Sequence, residues 1–236
     1  MTVIAVGSVH GSPGVTSLAL DLARLCGGES LLIEADPDGG CLAARLDLAV
    51  RPGLTELAGA ARVGIAADDI WKFAQPTNIA VSVIVAHPAA EQVQAALRAA
   101  VNHVGVALRA LDQHVIIDVG RLRPGSPAIG LAAIADLTIV LSVNGIEAVV
   151  SIAHRTQPLG GVSSPLVVLN NPKPYTTAEV EQASGQRVWG VVASDQGRRG
   201  ARSRTQALQR LLADCCRDVG DAPTVETIDG EIEVNA

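Results

Sequence analysis

Residues 6–23, VGSVHGSPGVTSLALDLA, run from a short apolar strand into a loop of small residues and then into an Ala/Leu-rich helix. At such a junction successive backbone N–H groups turn inward and the helix N-terminus adds partial positive charge, a combination suited to holding an anion. Gly11, Ser12, Gly14, Thr16 and Ser17 supply the small residues that this geometry needs.

A standard phosphate loop continues with a lysine for the outer phosphates and a Ser or Thr for magnesium. Here Gly14-Val15-Thr16 keeps the glycine and the hydroxyl and omits the charge. The chain contains only Lys72 and Lys173, both remote in sequence from the loop, so an arginine is the expected stand-in for the lysine.

The frame around the loop is that of a single large α/β domain. Of 236 residues, 48% are apolar and 18% charged, which excludes a disordered chain. Aromatics are 2%, so Ala, Val, Leu and Ile must fill the core. β-branched runs at about 2–7, 30–34, 79–85, 114–118, 137–143, 165–170 and 188–193 predict strands buried on both faces. Helices are expected at about 15–27, 38–47, 88–111, 125–135, 145–158, 176–184 and 201–219, the third opening at Pro88. Alternation of the two predicts a doubly wound, mostly parallel β-sheet flanked by helices over 1–220, with an acidic tail at 221–236. Residues 48–78 read as two short helices on a surface excursion.

The net charge of −6 gives no strong nucleic-acid signal, although Arg198, Arg199, Arg202 and Arg204 cluster locally. Cys26, Cys41, Cys215 and Cys216 lack metal spacing and read as small apolar residues in a reducing compartment. His87, His103, His114 and His154 also lack metal spacing, and Trp71 and Trp189 read as packing groups. With no signal peptide, membrane-spanning run or membrane-anchoring helix in evidence, a cytoplasmic location is expected.

Two acidic strand ends accompany the loop. LLIEADPDGG, residues 31–40, places Asp36 where a carboxylate can orient water or a metal's shell, or can cap a turn. HVIIDVG, residues 114–120, places Asp118 where an acidic group holds magnesium through water.

Together these residues resemble the MinD/ParA family of P-loop ATPases over most of the chain. The family's deviant phosphate loop falls on His10-Gly11-Ser12-Pro13-Gly14-Val15-Thr16-Ser17. Its DxDPQG segment is similar to LLIEADPDGG, with Glu34 and Asp36 in the acidic positions. Asp118 matches the Walker B aspartate, PLVVLNN resembles the strand whose terminal Asn170 reads adenine, and VWGVVASDQ resembles the base-closing loop with Asp195. GSPGVTS with EADPDGG looks like the divergent MinD/CpaE-like proteins of high-GC bacteria.

The resemblance implies ATP or ADP with Mg²⁺ as ligands and gives Gly11, Ser12, Pro13, Gly14, Val15, Thr16, Ser17, Asn170 and Asp195 to the nucleotide. Thr16 and Asp118 fall to the metal, and Asp36 and Asp118 to catalysis. It also implies a protein partner, a possible homodimer and a role in positioning cellular machinery. The family's signature lysine, which reaches into the partner's site, is His10 here, and the phosphate lysine is Val15. A lost charge-assisted bond removes about 1.5–3 kcal/mol, and lost transition-state charge stabilisation slows chemistry roughly a hundred- to a thousandfold. Weak binding with slow or absent hydrolysis is therefore expected. The alternatives are an ATPase rescued by an arginine, with Arg121 and Arg123 ahead of Arg198 and Arg199, or a nucleotide-free interaction module.

Overall fold

In the computed structural model, which describes residues 2–11, 14–26, 30–155, 162, 165–192 and 198–219, strands and helices alternate along the chain. They run β1 (Val3–Ser8), α1 (Val15–Leu25), β2 (Ser30–Glu34), α2 (Leu42–Arg45) and α3 (Leu54–Ala61). A 3-10 helix (Ala67–Phe73) leads to β3 (Gln75–Pro76), β4 (Val81–Ile84), α4 (Ala90–Leu108) and β5 (Val115–Arg121). Next along the chain are α5 (Ile129–Ile134), β6 (Leu137–Ser142), α6 (Ile146–Arg155), β7 (Leu166–Leu169), α7 (Thr177–Ser184), β8 (Val188–Val191) and α8 (Arg198–Val219).

All eight strands form one sheet in the order β3-β4-β2-β5-β1-β6-β7-β8. Among the described residues only the β3–β4 pairing is antiparallel. Each strand sends alternate residues to opposite faces, as the two-residue period of a strand requires. Ile4, Val6, Leu32, Ile116 and Ile139 pack under α1 and α8, whereas Val3, Ala5, Leu31, Ile33 and Ile117 pack under α3 to α7. On α1, Val15, Leu18, Ala19, Leu22 and Ala23 are buried at helical spacing. Each fully buried leucine there contributes about 1.5–3 kcal/mol relative to exposure.

Three expectations need correction. The helix expected over 38–47 is a loop with one short helical turn, α2, because Gly39 and Gly40 pass so close to the carbonyls of Pro88 and Ala86 that side chains there would collide with backbone. Residues 48–78 are not a surface excursion. Leu54, Leu57, Ala58, Ala61 and Ile70 are buried in the core beneath α4. That stretch also ends in β3, which sequence periodicity missed because two residues show no period. Lastly, α5 starts at Ile129 rather than near 125, after Pro124, Gly125 and Pro127.

Candidate functional site

β1, β5 and β2 lie side by side, and their carboxyl ends meet where the chain's crossovers change direction, the place at which open α/β sheets bind ligands. Period-two alternation carries the rows Leu32–Glu34 and Ile116–Asp118 along the α1 face, so each apolar row ends in a carboxylate. A register shift in the β1–β5 ladder, where Gly7 pairs with Gly120 after Val6 has paired with Asp118, leaves Val119 as an extra residue. This bulge re-aims the chain beyond Asp118. Gly120 takes φ +59°, a left-handed backbone, and a Cβ there would fall on the Asp36 carboxylate. Only glycine serves at that point.

Gly14, at φ +99°, is the N-cap of α1 and contributes no side-chain cap. The N–H groups of Val15, Thr16 and Ser17 have no hydrogen-bond partner among the described residues, and no acidic side chain sits in the first turn. Uncapped amides at a helix N-terminus attract an anion. They open onto a cleft of about 260 Å³ lined by Ser8, Gly11, Thr16, Ser17, Asp36, Asp38, Arg45 and Arg121, with Gly14, Val15 and Gly120 completing the wall.

Each acidic residue has its own environment. Glu34 is buried but satisfied: Oε1 accepts from the N–H groups of Cys41 (2.6 Å) and Leu42 (2.9 Å), and Oε2 from that of Ala86 (3.0 Å). It ties the loop before α2 to the end of β4 and so acts as a brace. Asp36 accepts the Asp38 N–H at 2.9 Å. Burial raises its pKa, against the Asp38 bond, which lowers it. Asp118 is fully buried; Oδ1 accepts the Gly120 N–H at 3.0 Å, while Oδ2 has no partner. Desolvation pushes its pKa up to about 7, and the nearby Thr16 hydroxyl pulls the other way without closing a bond to Oδ2.

Val15 is turned into the core under α1 and brings no polar group to the cleft. His10 is engaged within its own chain: Nδ1 shares a hydrogen bond with Ser151 Oγ at 3.0 Å, and Arg155 donates to the Val9 carbonyl. Asn170 stands just past β7 and outside the cleft lining, its N–H bonded to the Ser142 carbonyl. Ser12, Pro13 and Asp195 lie outside the described residues. Arg123 pairs with Asp38 at 2.9 Å. Sequence reasoning missed Arg45, which no motif marks, and Asn144, which at the end of β6 holds the 171–175 segment through the carbonyls of Asn171 and Tyr175. Among the described residues no group of three or more His, Cys, Asp or Glu could hold a metal ion, and no helix is long and apolar enough to cross a membrane.

The architecture, an eight-stranded, mostly parallel sheet flanked by helices, is a MinD/ParA-like fold. Three solved structures similar to it illustrate the range. A ParA family ATPase from Chlorobium tepidum is 14% identical with a TM-score of 0.68 over 96% of each chain. The septum site-determining protein MinD from Pyrococcus horikoshii, complexed with Mg-ADP, is 15% identical with a TM-score of 0.68, over 93% of this chain and 97% of that one. A cobyrinic acid a,c-diamide synthase from Mycobacterium smegmatis, with bound ATP analogue and magnesium, is 19% identical with a TM-score of 0.65, over 96% of this chain and all of that one. No family model matches the sequence, and no curated protein is similar to it. At these identities the likeness establishes the fold, and function must be argued from the site.

Proposed function

We propose that the protein is a nucleotide-binding switch or scaffold of MinD/ParA type, taking ATP or ADP with Mg²⁺ and hydrolysing slowly or not at all. The observation that carries the reading is the row of N–H groups at Val15, Thr16 and Ser17, unpartnered among the described residues and opening onto a cleft beside Asp118. Asp118 Oδ2 is a buried carboxylate oxygen without a partner, next to a hydroxyl, and this donor set suits a hard divalent cation that keeps most of its waters. Thr16 and Asp118 would hold the Mg²⁺, which when bound neutralises phosphate charge. Asp36, its pKa raised by burial at the cleft wall, would orient water there as the catalytic carboxylate of any residual turnover. Gly11 to Ser17 would hold the phosphates, and Asn170 and Asp195 would attend the base.

Slow chemistry follows from Val15, because the side chain at that position reaches the core rather than the phosphates. The tie of His10 to Ser151 likewise keeps it from acting as the family's partner-reaching cation, so nucleotide-driven homodimerisation would lack that contact. A positioning role in the cytoplasm through a partner protein extends the same reading. Calorimetry of Mg-ATP and Mg-ADP binding tests it: measurable heat and a raised melting temperature are expected with wild type, and both diminish in Asp118→Ala. Absence of both with wild type would remove the nucleotide.

A second reading, an ATPase with an arginine in the lysine's place, is favoured by the guanidinium of Arg121 in the cleft. Phosphate release at saturating Mg-ATP separates the two. Turnover abolished by Asp118→Ala would favour the second reading, and turnover at the buffer rate the first.

A further inference from the structure

The cleft presents two arginines on different walls. Arg121 follows the β5 bulge, and its guanidinium lies directly over Gly11. Arg45 ends α2 and donates from Nη2 to Ser17 Oγ at 3.2 Å, on the α1 side of the loop. Both are exposed, and neither closes an ion pair among the described residues. Arg123, by contrast, is neutralised by Asp38.

The surroundings make these charges necessary. Glu34, Asp36 and Asp118 gather three carboxyl groups beside the cleft, and a polyanion brought there without compensation would meet their oxygens rather than donors. Val15 supplies nothing. The carrier of Arg45 is fixed, because Glu34 accepts the Cys41 and Leu42 N–H groups immediately before it. The buried, unpartnered oxygen of Asp118 independently calls for a cation accompanying the ligand. A planar guanidinium bonds phosphate with two parallel N–H groups, and two of them, one over Gly11 and one at Ser17, match adjacent phosphates better than a single one.

We propose that Arg45 and Arg121 form a clamp that supplies the charge Val15 cannot, selecting ligands with at least two linked phosphates. This rests on the nucleotide reading above and names the groups that make binding possible within it. It also assigns a function to Arg45, a residue that no phosphate-loop pattern marks.

The test measures affinities of Mg-ATP, Mg-ADP, AMP and inorganic tripolyphosphate for the full chain. Arg45→Gln, Arg121→Gln, the double variant, Arg121→Lys and the exposed Arg62→Gln at the end of α3 are compared, each confirmed folded by circular dichroism. Each cleft substitution should weaken Mg-ATP binding roughly tenfold to a hundredfold, the double variant further, and AMP much less. Arg121→Lys should recover part of the loss, and Arg62→Gln should match wild type. Unchanged Mg-ATP affinity in both glutamine variants overturns the clamp and leaves the nucleotide reading standing. Tripolyphosphate binding that the variants lose, with none of ATP, upholds the clamp and removes the nucleotide. Failure of wild type to bind any polyphosphate overturns both.

Discussion

Asp118 follows the apolar run Val115–Ile117 within β5, its carboxylate fully buried, one oxygen bonded to the Gly120 N–H and the other without a partner. An ionised group in that setting is costly, so the folded chain keeps the proton up to a pH of about 7, against 3.8 ordinarily. The sign follows from proton linkage: between those values the folded state binds more protons than the unfolded one, so stability falls as pH rises and levels off above about 7. The loss amounts to at most about 4 kcal/mol. Asp36, whose pKa burial also raises, adds in the same direction. Urea denaturation of the ligand-free protein at pH 5 and pH 8 should show the decline in wild type and a flatter profile in Asp118→Asn. Identical profiles for the two proteins would contradict this assignment of cost. Asp118 was legible from sequence because an acidic residue closing a β-branched run has few bland explanations. Arg45 was not, since an arginine in a short Ala/Leu stretch looks like any solvated helix residue.

At the scale of elements, residues 48–78 show where periodicity stops informing. LTELAGAA has apolar residues at helical spacing, but only packing beneath α4 and the sheet makes that helix part of the core. Leu57 is fully buried there, so Leu57→Ala should destabilise the protein by about 2–5 kcal/mol in chemical denaturation. A cost under about 0.5 kcal/mol, the range of surface substitutions, would return the segment to the periphery. The segment from Asp36 to Arg45 fails as a helix for a related reason. Its backbone N–H groups serve the Glu34 carboxylate and the His87 carbonyl, tertiary partners that outcompete local helical bonds.

Across the whole molecule one sheet joins all the described strands, and two tryptophans report on its two ends. Trp71 sits in the 3-10 helix beside the β3 edge, packed on one core layer. Trp189 lies in the β8 edge strand against the other layer and donates to Asp214 on α8 at 2.8 Å. A single cooperative domain predicts that the fluorescence of Trp71→Phe and Trp189→Phe variants reports transitions coinciding with each variant's own far-ultraviolet circular dichroism. Separate midpoints within one variant would divide the chain into independently folding halves.

The alternation of β-branched and Ala/Leu-rich runs was sufficient by itself for a doubly wound sheet, because strands buried on both faces admit little but apolar residues. The missing lysine at Val15 was equally a property of the sequence alone. Which charges converge on the cleft was decided by tertiary structure. Ser17 meets Arg45 across 28 residues and Glu34 meets Ala86 across 52, and such contacts depend on crossover paths and a strand bulge that have no local signature.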